Sequence, residues 1–150
     1  MYQLPALQEG RTYTCAQVAP YLGRQKQGAS GATDFDLILP WFRTNYFHRF
    51  RRNLVGPNEV VMEYQIWHAS RFEATLPAIR QRYGLDRQRI DAVRSALLAG
   101  EPAFPVWIVG DYAASHPVPV KEGNHRLLAF AELELSRIPV FLARLEDVPS

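Results

Sequence analysis

A single cysteine, Cys15, stands in 150 residues, so no internal disulfide can form, which suits a reducing compartment. No apolar run approaches the roughly 20 residues a membrane-spanning helix needs, so no membrane association is expected. The first residues, Met1-Tyr2-Gln3-Leu4-Pro5, lack the cationic stretch and following apolar run of a secretory signal, and the cytoplasm is the expected location. Neither sign of charge dominates: a net +2 does not by itself argue for nucleic acid. Internal repeats and low-complexity tracts are missing. His48, His68 and His116 have no mutual spacing that makes a zinc ligand set. What is present is ordinary for a soluble globular protein, with 47% hydrophobic and 21% charged residues. The length suffices to bury a core without disulfides or metals.

Along the chain, Cys15 to Ala19 reads as a helical turn capped by Thr14. Residues 24–33 form a polar, glycine-containing loop that is either a surface loop or a phosphate cradle, and its lysine does not sit in the Walker A position. Pro40 suits the first residue of a helix. The stretch from Trp41 to Asn53 then interleaves Trp41, Phe42, Tyr46, Phe47 and Phe50 with Arg49, Arg51 and Arg52. That pattern is either an amphipathic helix with cations in its last turn or a grip for single-stranded nucleic acid. Gly56-Pro57-Asn58 marks a turn, dividing an N-terminal extension, residues 1–57, from a main domain, residues 58–150.

Glu59 to Trp67, rich in Val, Tyr and Ile, reads as a strand. Glu63 within it is either a base or an ordinary outward glutamate. Ser70 and Glu73 have the spacing of a capping box, with Pro77 breaking that helix or opening another turn. Asp86 caps a helix whose Ile90, Val93 and Leu97 share one face, and Gly100 closes it. The run from Phe104 to Val109 is apolar without alternation, as in a strand covered on both faces. Val118 to Lys121 reads as a short strand, Leu127 to Leu135 as a helix, and Ile138 to Leu142 as another strand. Strand, helix and strand in so short a span predict a βαβ unit with parallel strands.

The stretch Lys121-Glu122-Gly123-Asn124-His125-Arg126 lies at the turn into that helix. A glycine there lets the backbone bend or approach a ligand without a Cβ in the way. The first helical amides lack intrahelical partners and point outward with the positive end of the helix dipole. His125 and Arg126 add hydrogen-bonding or cationic side chains at the same point. The physical expectation is a phosphate-binding corner, with Arg126 forking onto phosphate oxygens and His125 available for acid–base work.

The helix from Arg89 to Gly100, the proline-led strand Pro105-Val106-Trp107-Ile108-Val109, Glu122-Gly123-Asn124-His125-Arg126-Leu127-Leu128-Ala129 and Ile138-Pro139-Val140 follow one another in an order that resembles the ParB/sulfiredoxin fold, over roughly residues 59–145. The resemblance implies an α/β (α+β) domain: a small mixed sheet with a βαβ unit at its C-terminal end, here following a mostly helical N-terminal extension. It implies nucleotide binding, ATP or CTP with Mg2+, at Gly123, Asn124, His125 and Arg126. Glu122 would be the metal contact, and Glu122 and His125 the catalytic pair for hydrolysis or phosphoryl transfer. DNA binding or nuclease action at Arg49, Arg51 and Arg52 is an extension, and a homodimer stays open. Two departures narrow the choice. Asn124 stands where sulfiredoxins carry cysteine, and no DNA-binding helical domain of the partition-protein kind follows. The alternative is a non-catalytic module that docks a protein or nucleic-acid partner.

Overall fold

The computed structural model describes residues 2–28 and 60–145. Four strands form one sheet: β1 (Thr12–Thr14), β2 (Val60–His68), β3 (Val106–Val109) and β4 (Arg137–Leu145). Three helices accompany them among the described residues: α1 (Leu76–Tyr83), α2 (Arg87–Leu98) and α3 (Asn124–Glu132). The sheet order is β1-β2-β4-β3. β1 with β2 and β2 with β4 are antiparallel, and β3 with β4 is parallel. The architecture is thus a mixed α+β sheet, as expected at that level.

Period-two alternation sorts the strand residues between two cores. Ile138, Val140 and Leu142 of β4 join Val106 and Ile108 of β3 on one face. Ile79 of α1, Ile90, Val93 and Leu97 of α2, and Leu127, Leu128 and Phe130 of α3 cover that face. Phe141, Ala143, Trp107, Val109, Met62 and Tyr64 point to the other, which is closed by Tyr13, Cys15, Val18 and Leu22. The unbroken apolar run of β3 follows directly, because all four of its residues are buried between the two layers.

The described part of the N-terminal segment therefore supplies a strand and one wall of a core. It carries β1 and a 3-10 turn, Ala19–Tyr21, rather than helix. The aromatic and arginine-bearing stretch from Trp41 to Asn53, with Arg49, Arg51 and Arg52, lies outside the described residues.

Local signals had mixed outcomes. Asp86 caps α2, its carboxylate accepting from the Arg89 amide at 3.5 Å, and Gly100 ends that helix at φ 90. The capping box expected from Ser70 and Glu73 does not form. His68 takes the Ser70 amide on Nδ1 at 3.2 Å, the chain winds into a 3-10 turn, and α1 begins only at Leu76 with Pro77 in its first turn. A reciprocal pair occurs instead at Thr14 and Gln17. The threonine hydroxyl accepts from the Gln17 amide at 3.3 Å, and the glutamine oxygen from the Thr14 amide at 2.9 Å. Val118 to Lys121 is not a strand; the first strand of the βαβ unit is β3. Only a single bridge joins Glu122 to Trp107, which draws the turn before α3 against the sheet.

Candidate functional site

Gly123 caps α3 with φ 92 and ψ 28, in the left-handed region, and no side chain caps the helix. A Cβ at this position would lie 3.0 Å from Arg126 Nη1 and 3.2 Å from Val106 Cγ1, so both conformation and space require glycine. The first backbone bond of the helix runs from the Leu127 amide to the Gly123 carbonyl at 2.8 Å. The amides of Asn124, His125 and Arg126 precede it and have no intrahelical acceptor. α3 thus begins three residues earlier than hydropathy suggests.

This corner borders a cleft of about 440 Å³. Glu122, Gly123, His125 and Arg126 line one part, Gln88, Arg89, Ala92 and Val93 of α2 another, and Arg24, Gln25 and Lys26 a third. Four cations, Arg24, Lys26, Arg89 and Arg126, face two carboxylates, Asp86 and Glu122. Cations thus outnumber carboxylates along its walls. Asn124, although a neighbour of His125, lines a second, smaller pocket of about 260 Å³ with Tyr83, Arg82 and Val118.

His125 is held on two sides. Its Nε2 lies 3.1 Å from Asp86 Oδ2, and its ring meets Tyr83 edge-on with centroids 5.1 Å apart. Asp86 thus fixes the imidazole and caps α2 together, a second duty that its cap spacing does not reveal.

Arg126 occupies the expected corner with a different employment. It is only 4% exposed. Its Nη1 donates to the Pro105 carbonyl at 2.6 Å and its Nη2 to the Gly23 carbonyl at 2.6 Å. The fork expected to clasp phosphate thus grips two backbone segments, leaving Nε as the buried nitrogen without a partner among the described residues. Burial pulls the guanidinium pKa down to about 10, with nearby Glu122 acting the other way; it remains charged at neutral pH.

Glu122 is exposed, and its main-chain oxygen accepts from the Trp107 amide at 2.9 Å. No group of three or more His, Cys, Asp or Glu is placed to hold a metal among the described residues. A single carboxylate at this cleft is compatible with magnesium, which commonly takes one or two carboxylates together with substrate phosphates and waters. Glu63 does not line the cleft. It accepts from Gln65 Nε2 and lies 3.4 Å from Arg144.

The sequence singled out neither Arg24, Lys26 nor Arg89 as ligand contacts. Their cationic character was the available signal, but only folding brings them to one cleft. No helix among the described residues is long and apolar enough to cross a membrane. Compared with known proteins, the chain matches no family model, no curated protein and no solved structure.

Proposed function

We propose that this chain is a nucleotide-binding domain of the ParB/sulfiredoxin type, which holds the phosphates of ATP or CTP in the cleft beside α3 and acts with Mg2+. The observation that carries the reading is the uncapped helix start at left-handed Gly123, opening onto a 440 Å³ cleft lined by more cations than carboxylates. The volume lies within the range of small-molecule sites, roughly 300–1,000 Å³. Support for the kinship comes from the succession of α2, Gly100, β3 and the Gly123-x-x-Arg126 start of α3, ending at Pro139 in β4.

In this reading the His125 amide receives a phosphate oxygen, Asn124 lining the second pocket instead, and Arg89 adds a charge-assisted bond. Glu122 is the protein ligand for magnesium, which when bound would neutralise phosphate charge. Hydrolysis forms a bond from water oxygen to the terminal phosphorus and breaks the bond to the departing nucleoside diphosphate. His125, oriented by Asp86, takes the proton of that water. Arg126 acts through the backbone segments it ties, and its positive charge adds to the local field.

Isothermal titration with ATP, CTP and GTP in the presence of magnesium tests the reading. Saturable binding below millimolar ligand is expected, and Arg89→Gln should weaken it roughly tenfold, the low end for a lost charge-assisted bond. Absence of binding by the wild type at millimolar ligand would remove the proposal. One observation favours the non-catalytic alternative: both terminal nitrogens of Arg126 are committed to carbonyls, leaving fewer donors for a transferring phosphoryl group. Binding without phosphate release over hours decides for that alternative.

A further inference from the structure

The stretch Gly23-Arg24-Gln25-Lys26-Gln27-Gly28 has the composition of a loose surface loop, yet it is pinned at three places. Gly23 offers its carbonyl to Arg126 Nη2 at 2.6 Å. Gln25, 3% exposed, uses both ends of its amide: Nε2 donates to the Pro102 carbonyl at 2.5 Å, and Oε1 accepts from the Phe104 amide at 2.8 Å. The Gly28 amide donates to Glu101 Oε1 at 2.7 Å. Glycines with φ 92 and φ 76 stand at the two ends, where the backbone needs the left-handed region.

Burial alternates along this strap. Gln25 is buried, while Arg24 and Lys26 on either side are exposed and both line the cleft. Among the described residues neither makes a hydrogen bond or an ion pair. Their backbone is already ordered, so a ligand has only the side chains left to immobilise, which lowers the entropic cost of contact. Arg89, and Gly123 and His125 at the start of α3, line the same cleft. The cations come from three chain segments, set against the carboxylates of Asp86 and Glu122, so a ligand with several phosphates can meet more of them than a single phosphate can.

We propose that residues 23–28 form a fixed clamp for the outer phosphates of a di- or triphosphate. Arg24 and Lys26 are its contact groups, and Gln25 and Arg126 its positioning residues. The inference rests on the phosphate reading above and adds which anions the cleft selects and which residues select them.

Titrations of orthophosphate, pyrophosphate and tripolyphosphate into the wild type and into the double variant Arg24→Gln/Lys26→Gln test the contacts. The wild type should prefer tripolyphosphate to orthophosphate by roughly tenfold or more, from the additional charge-assisted bonds. The double variant, altered at exposed positions only, should lose that preference, its tripolyphosphate affinity falling much further than its orthophosphate affinity. If the wild type discriminates and the double variant does so equally, the clamp is overturned while the phosphate reading stands. If the wild type binds none of these anions and no nucleotide, both fall.

Positioning by Gln25 is read without ligand. Trypsin should cut after Arg24 and Lys26 slowly in the wild type and much faster in Gln25→Ala, with fragments identified by mass. The same variant should lose the tripolyphosphate preference while its circular dichroism spectrum is kept. Equal cleavage rates, or an unchanged preference, would overturn the positioning role.

Discussion

Two residues three positions apart divide the labour at the corner. Gly123 supplies a conformation and a vacancy; Arg126 supplies a tie. Replacing Gly123 by alanine forces a Cβ into the left-handed region and to within 3.0 Å of Arg126 Nη1 and 3.2 Å of Val106 Cγ1. The arginine tip is tied to two carbonyls and the valine is packed in the core, so the strain is not relieved by one movement. A loss of about 1–3 kcal/mol is expected, read as a lowered urea midpoint. A midpoint equal to wild type would show that the turn tolerates a side chain. The Gly-x-x-Arg spacing was legible in the sequence because backbone sterics and helix ends are local matters. The partners of Arg126 were not legible, since they lie 21 and 103 residues away. Nor does local sequence reveal that Gln25 is a buried bracket, with bonds spanning 77 and 79 residues.

At the scale of elements, α2 was legible almost residue by residue. Asp86 announces its start, Ile90, Val93 and Leu97 its buried stripe, and Gly100 its end. β3 and β4 were legible from their apolar runs. β1 was not, because three residues cannot show a period, and its identity as a strand comes from its register with β2. The Ser70 box failed because a neighbouring imidazole took the same amide. α2 and α3 are also joined across their outer faces. Glu132 accepts from Arg87 at 2.6 and 2.9 Å and from Arg94 at 2.6 Å. The hydrogen bonds from Arg87 come first among the causes that hold the Glu132 carboxyl down to about 2, against burial, which raises it; Arg94 adds to the lowering. A carboxyl held below its ordinary value stabilises the fold above that value, about 4.5, and the contribution is lost as pH falls toward about 2. The groups are partly exposed, so the effect is modest and screened by salt. Glu132→Gln should flatten the acid limb of a thermal-stability profile at low ionic strength and change little in concentrated salt. An unaltered acid limb would mean that the cluster contributes nothing measurable.

For the molecule as a whole, the second core has an alkaline weakness. Burial pushes the Cys15 thiol up from 9.0 to about 11. Burial, followed by the charge of Glu9, pushes the Tyr64 phenol up from 10.0 to about 12. Both groups are favoured in their neutral forms when folded. Their contribution is therefore complete below about 9 and is lost as pH climbs toward 11 for the thiol and 12 for the phenol. Two units correspond to roughly 2–3 kcal/mol, an upper bound for the thiol. Urea midpoints should fall between about pH 9 and 11, and Cys15→Ala should remove part of that slope. A variant as alkali-sensitive as the wild type would place the weakness elsewhere.

The order β1-β2-β4-β3 has a bearing on how the protein assembles. β4, the last of the described elements in order, lies inside the sheet and shares hydrogen bonds with both β2 and β3. Until it is seated, neither neighbour has a lasting partner on that side, and the two hydrophobic layers have no common septum. The pairing of Val60 with Leu145 closes the largest loop between these strands, and distant pairings of this kind slow the search for the native state. Acquisition of structure should accordingly be a late, concerted event centred on β4, with little gradual growth from the first strand onward.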